Sequence, residues 1–483
     1  MNERPIPVSA VERIPLPEAG AVREAFARAC PAGPPRKLVV LDDDPTGVQT
    51  VHGVPVYTDW ERGTLARGLA EDGPMFFVLT NSRALTAAET VRLHTRIAEN
   101  LAQAYRDTGR EFLLVSRSDS TLRGHYPLET ETLRRTLESA LPLRFDGEIL
   151  MPFFAEGGRF TVGNVHYVRA GGSLIPAGQT EFARDTTFAY RASDLTEWIA
   201  ERTQGAYPAG ETVCISLEEL RALEVEKIAR RLRSVHDFGK IAVNAADDLD
   251  AEVFAAALWR AAALGGNYLL RCAAGLVRAL GGIEKRPLLT SAELRTGGGA
   301  GLVIAGSHVQ KTTAQLERLL RDEPDLCPIR FDASAALREG ALETESDRVL
   351  AETERSLAAG RTAVVYTSRE VLRAGSGAPE DNLRLSTGIS RTLTSLVSRL
   401  ETVPSFLIAK GGITSSDVGT RGLGVRRAMV LGQLLPGVPV WETGGESRFP
   451  GLPYVIFPGN VGEEDALLLA VRKLRGREEQ EHA

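Results

Sequence analysis

The stretch Leu113-Leu114-Val115-Ser116-Arg117-Ser118-Asp119-Ser120-Thr121-Leu122-Arg123-Gly124-His125-Tyr126-Pro127 is an apolar run that ends abruptly in groups able to bind anions and alcohols. It reads as a buried strand feeding a site. Open parallel sheets receive ligands outside the carboxyl ends of their strands, so this order of residues places chemistry where such a fold wants it. Asp119 can orient or deprotonate a hydroxyl, Arg117 and Arg123 can fork a carboxylate or phosphate, and Ser118, Ser120 and Thr121 can hydrogen-bond a small polyol. The competing reading is a solvated loop in which Ser120 or Thr121 caps a helix and an Arg–Asp pair lies on the surface.

Upstream, the β-rich run Lys37 to Leu41 empties into Asp42-Asp43-Asp44-Pro45-Thr46-Gly47. Three adjacent carboxylates are unfavourable unless a cation, an arginine or a shared proton relieves them. Either they cap a helix, or one activates a hydroxyl while another helps hold magnesium. Met75 to Leu79 is a second buried-strand candidate, ending in Thr80-Asn81-Ser82-Arg83. Between these strands and the opening stretch, Thr86 to Asp107 is predicted helical, with Leu93, Ile97, Leu101 and Tyr105 on one face and Ser82 or Thr86 as its cap. The alternation is that of βαβ units in a parallel sheet.

Downstream, a helix is expected over Leu128 to Ala140 and a strand over Glu148 to Met151. The latter opens into Phe153-Phe154-Ala155-Glu156-Gly157-Gly158-Arg159, where Arg159 is a further anion-binding candidate and a strand Thr161 to Val168 follows. Thr180 to Tyr190, with Glu181, Arg184 and Asp185, reads as a polar excursion. Strands at Val213 to Ile215, Ile241 to Asn244 and Tyr268 to Cys272 continue the rhythm, and Asp247 and Asp248 read as helix caps. The glycine-rich stretch 287–301 is the expected linker. This gives an N-terminal arm over 1–36, a first domain over 37–286 and a second over 302–483.

The second half repeats one device. Leu302 to Ala305 runs into Gly306-Ser307-His308, Phe406 to Ala409 into Lys410-Gly411-Gly412-Ile413-Thr414, and Tyr454 to Phe457 into Pro458-Gly459-Asn460-Val461-Gly462 before a helix from Glu463. Small-residue turns before helices offer backbone N–H groups to phosphates, and Lys410 adds charge. The spacing of a Walker A loop is absent.

Composition narrows the partners. With 483 residues the chain exceeds one ordinary core, and a formal net charge of −6 argues against nucleic acid. No apolar run is long enough to cross a bilayer. The N-terminus lacks the apolar core of a signal peptide, so a cytoplasmic location is expected. Cys30, Cys214, Cys272 and Cys327 are too scattered for a zinc knuckle or a redox pair, and the seven histidines form no spaced pair.

With these loops in order, the chain resembles the four-carbon acid sugar kinase family over nearly everything after the arm. The resemblance rests on Asp43-Asp44-Pro45-Thr46-Gly47, on Ser118-Asp119-Ser120-Thr121-Leu122-Arg123-Gly124 and on Gly157-Gly158-Arg159. It extends to Gly306-Ser307 with Thr313-Ala314-Gln315, to Gly411-Gly412-Ile413-Thr414 and to Gly459-Asn460-Val461-Gly462. It implies two α/β domains, each a mainly parallel sheet flanked by helices, with the active site in the cleft between them. It also implies ATP, with magnesium, as phosphoryl donor to threonate, erythronate or a 3-oxo-tetronate. Substrate contacts would come from Asp43, Asp44, Arg83, Arg117, Ser118, Asp119, Ser120 and Arg159, nucleotide contacts from Ser307, Gly411, Gly412, Ile413, Thr414, Gly459 and Asn460. Arg117 stands where the family often has lysine, Pro45 replaces an aliphatic residue, and Ile413 sits where an acidic residue is frequent.

The expected reaction is in-line phosphoryl transfer to a hydroxyl. Arg83, Arg117 or Arg123 would pair with the carboxylate, and Asp43 or Asp119 would receive the proton. The magnesium ligands are left open, and a homo-oligomer is compatible with the sequence. One rival reading is a sugar-acid sensor with a decayed nucleotide domain, suggested by Ile413. Another is a lyase using Lys410 as a Schiff-base amine.

Overall fold

Continuous β-branched and aliphatic runs separated by amphipathic helices can bury both strand faces only in a helix-covered parallel sheet. The computed structural model, which describes residues 3–294, 296–306, 310–338, 340–368, 379–459 and 461–477, realises this twice. Contacts within the chain divide it into two units, Met1–Lys285 and Arg286–Ala483.

In the first unit the parallel strands run in the order Val213–Ile215, Gly239–Val243, Gly147–Met151, Tyr268–Cys272, Phe112–Arg117, Lys37–Asp42, Met75–Leu79 and Val54–Tyr57. Lys37–Asp42 is buried at every position, as a central strand must be. The helix Ala87–Thr108 covers one face through Leu93, Ile97 and Leu101, packed with Val39, Phe76 and Leu114. Each such side chain contributes roughly 1.5–3 kcal/mol by leaving water. Thr86 is its cap, in a reciprocal capping box with Glu89. Asp247 likewise caps Asp248–Ala263.

The expected strand Thr161 to Val168 is instead a hairpin. Arg159–Val162 pairs antiparallel with Val165–Ala170 across Gly163 and Asn164, whose φ values of +57° and +68° make the tight turn that matches strand twist. Ser173–Pro176 and Ile6–Pro7 complete this small antiparallel sheet. The N-terminal residues therefore lie on the first unit: Glu3 accepts from the backbone of Ser193 and Asp194, and the helix Ala19–Ala29 packs on Asp248–Ala263.

The second unit places Pro453–Phe457, Leu407–Lys410, Leu302–Ala305, Ala363–Thr367 and Cys327–Phe331 side by side in parallel. An antiparallel hairpin, Arg427–Leu435 with Val438–Thr443, extends the sheet beyond Pro453–Phe457. The segment 287–301 packs onto this unit. Leu289 and Leu294 enter its core, Leu289 donates its N–H to Gln433 O, and the Thr296 hydroxyl bonds Leu474 O. The last helix runs Ala466–Leu474 rather than from Glu463. No helix among the described residues is long and apolar enough to cross a membrane.

Candidate functional site

Register aligns the carboxyl ends of adjacent strands in the first unit. Asp42 lies opposite both Leu79 and Arg117, and Cys272 opposite both Arg117 and Met151. The loops after these strands therefore open on one edge. Their first residues are tied to the sheet by Asp43 N to Arg117 O, Thr80 N to Asp42 O and Ser118 N to Cys272 O.

On that edge lies a closed network of carboxylates and guanidiniums. Arg83, on the turn Ser82–Ala84, forks Asp43 with Nη2 to Oδ1 at 2.7 Å and Nε to Oδ2 at 3.1 Å. Its Nη1 lies 3.6 Å from both Asp44 Oδ2 and Asp119 Oδ1. Arg117 is buried, with Nη1 at 3.0 Å from Asp42 Oδ1 and 3.4 Å from Asp43 Oδ1. Arg123 Nε donates to Asp119 Oδ2 at 3.0 Å, and its Nη1 lies 3.6 Å from Asp185. Asp119 also accepts from the Thr121 backbone and hydroxyl, and Asp44 from those of Thr46. The surface-pair alternative is thus overturned. Neither Ser120 nor Thr121 caps a helix: the helix Leu128–Ala140 starts after Pro127 without a side-chain cap.

These surroundings split the acids. Burial pushes the Asp42 carboxyl up to about 7, against the pull of Arg117. Burial also raises Asp43, outweighing Arg83. At Asp44 and Asp119 burial acts the same way, but Arg83, joined at Asp119 by Arg123, holds both below the ordinary carboxylate range. Gly47 is required here, since a Cβ on it would sit 2.1 Å from Asp42 Oδ2.

The remaining expected substrate residues fall around this network. Ser118 is buried, its hydroxyl 3.3 Å from that of Ser116. Ser120 gives its carbonyl to His166 Nε2 at 2.8 Å, and burial depresses that imidazole to about 4. Arg159 Nη1 bonds Gly157 O, and its guanidinium lies over the Phe182 ring. Three contributors were not singled out from sequence. Asp42 was read only as part of an acidic triplet, although its place as the last strand residue marks it as the most buried. Arg271 is buried under the loop, stacked over Tyr126 and Trp198 with Nη2 on Arg123 O; an arginine one residue from the end of a buried strand is the available signal. His166 was hidden by the hairpin.

In the second unit, Ala305, Lys410 and Phe457 are in register at the ends of three adjacent strands, so the small-residue turns are neighbours. A Cβ on Gly306 would meet Thr414 Oγ1 at 2.7 Å, which brings the first two turns together. Gly411 has φ +117° and donates to Phe457 O, while Gly412 has open space where a side chain would be. Ile413 is 69% exposed. Thr312 Oγ1 bonds Gly459 O, and Gln315 Nε2 gathers the carbonyls of Val461, Gly462 and Glu463. Ser307 and Asn460 lie outside the described residues. Lys410 is fully buried rather than presented as a surface charge. Its Nζ donates to Pro458 O at 3.0 Å over the Phe457 ring, and burial lowers it to about 7. Among the described residues no cluster of three or more histidine, cysteine or acidic side chains is arranged to hold a metal ion.

The family model described as a sugar-binding N-terminal domain matches residues 38–280, and one described as a nucleotide-binding C-terminal domain matches residues 302–467. Among solved structures the chain is similar to the Haemophilus influenzae protein HI1011, at 19% identity and a TM-score of 0.60, covering 90% of this chain and 100% of that one. It is also similar to a protein from Salmonella typhimurium LT2, at 16% identity and a TM-score of 0.64, covering 90% and 98%. At these identities the likeness is one of fold. No curated protein matches the chain.

Proposed function

The chain belongs to the four-carbon acid sugar kinase family, and from that premise we propose that it transfers the γ-phosphoryl group of ATP to a hydroxyl of a four-carbon sugar acid such as threonate, erythronate or a 3-oxo-tetronate. The observation that carries the reading is the network Arg83, Arg117, Arg123 with Asp42, Asp43, Asp44 and Asp119 at the sheet edge of the sugar-binding unit. In this reading the first unit holds the acceptor acid, and the glycine turns of the second cradle the triphosphate through backbone N–H groups. The protein works in the cytoplasm on small molecules, alone or as a homo-oligomer.

Phosphoryl transfer asks mainly for positioning and charge neutralisation. Asp43 is the proton acceptor of the two considered. Burial raises its affinity for a proton, while Arg83 and Arg123 keep Asp119 a fixed anion that shapes the loop. Ser118 and Ser120 border the acid, and Arg159 faces its carboxylate. Magnesium has no protein-built cluster among the described residues, and this favours an ion carried by the nucleotide's own phosphates.

An ADP-release screen across threonate, erythronate and their 3-oxo forms tests the proposal: release with one of them and none without acceptor is expected, and silence with all refutes it. Exposed Ile413, where an acid is frequent in relatives of this kind, favours the sensor instead. Calorimetry with ADP and magnesium separates the two, because a sensor with a decayed second unit binds no nucleotide at millimolar concentration. Lys410, lowered to about 7, has the basicity a Schiff-base lysine needs, but borohydride with substrate is expected to add no mass.

A further inference from the structure

Arg83, Arg117 and Arg123 are each committed to carboxylates of the chain itself. Arg159 differs. It is half-buried, it has no ion pair among the described residues, its Nε is buried without a partner, and its Nη1 meets only the Gly157 carbonyl. Burial, with the Arg123 cation beside Arg159, outweighs Asp119 and Glu181, which act only from a distance, and lowers the guanidinium's hold on a proton. Its Cζ nevertheless lies over the Phe182 ring, 5.3 Å from the centroid. The same ring carries Arg123, 5.1 Å away. Phe182 sits on the turn Glu181–Arg184, anchored next door by Asp185, which accepts from Thr187 N and Phe188 N and faces Arg123.

Stacking engages the face of a guanidinium and leaves its N–H edge free to fork a carboxylate in its own plane. We propose that Phe182 is a positioning residue that aligns Arg159 so that Arg159 reads the carboxylate of the acceptor acid, and that this stack selects acids over neutral polyols. The inference rests on the proposed sugar-acid site and adds to it the residue that sets the orientation and the selection.

Phe182→Leu keeps apolar bulk and removes the ring face, whereas Phe182→Tyr keeps the face. The acid's Kd by calorimetry, with KM and kcat from ADP release, is measured for both variants and for wild type, alongside binding of the matching tetritol. Phe182→Leu is expected to raise Kd and KM for the acid about three- to thirtyfold with the KM for ATP unchanged. Tetritol binding should not change, and Phe182→Tyr should restore wild-type values. An unchanged Kd in Phe182→Leu overturns the inference, as does equal weakening toward acid and tetritol, which would mark mere packing. A wild type that binds acid without transferring phosphate sinks the kinase while leaving this readout intact; one that binds no acid sinks both.

Discussion

The Arg83 guanidinium grips the Asp43 carboxylate with two parallel hydrogen bonds, at 2.7 and 3.1 Å, while its outer nitrogen faces Asp44 and Asp119. One cation thus stabilises three acids from two loops. Arg83→Ala would take the fork from buried Asp43, leaving it only Arg117 at 3.4 Å, and strip Asp44 of its ion pair; the loss expected is about 3–5 kcal/mol, as for a broken buried pair. Urea unfolding checks this. Arg83→Lys keeps the charge but not the fork, and it should recover only part of the loss.

Asp43→Asn keeps shape and removes the proton acceptor. Turnover should fall about 10²–10⁴-fold with the fold intact by circular dichroism. Asp119→Asn should also lose most turnover, because Thr121 and Arg123 lose the anion that shapes their loop. If Asp119→Asn instead retains near-wild-type turnover, Asp119 has no part in the site.

Stability should depend on pH through Asp42 with an unusual sign. Burial raises its carboxyl from 3.8 to about 7, so between these values the native state holds a proton that the unfolded chain has released. The contribution is therefore full below about 4 and is lost as pH rises toward 7. The melting-temperature advantage of wild type over Asp42→Asn should shrink across that window. A constant difference would contradict the raised value.

His166 should act in the opposite direction. Burial lowers it from 6.5 to about 4, so the unfolded chain binds a proton first as pH falls, and stability drops between 6.5 and 4. His166→Gln should flatten that limb of a thermal-shift profile. With Asp42→Asn the two slopes can be read separately.

Much of this architecture is legible in the residues. Uninterrupted apolar strands such as Val39 to Leu41 and Phe76 to Leu79, followed by polar tips, can hardly be anything but central parallel strands, and the 86–107 periodicity announces its helix. The hairpin around Gly163-Asn164 does carry a signal in the sequence, since a Gly-Asn pair between two β-rich runs marks a two-residue turn, and reading Thr161 to Val168 as one strand passes over it. Arg427–Leu435 is mostly apolar, but Gly432-Gln433 breaks the run and its alternating burial is a property of the fold that the residues alone do not display. At the site, residue types identify what can bind. Which arginines are already neutralised depends on distances between loops far apart in sequence, and that separates Arg159 from Arg83 and Arg117 only in three dimensions.

The Asp42 carboxylate occupies the space a methyl group on Gly47 would need, 2.1 Å from where its Cβ would sit. Substitutions at the two positions are consequently coupled. An alanine at 47 has to push the Asp42 carboxylate away from Arg117, so a shorter residue at 42 should ease its acceptance, and laboratory evolution that randomises both should recover them together more often than apart.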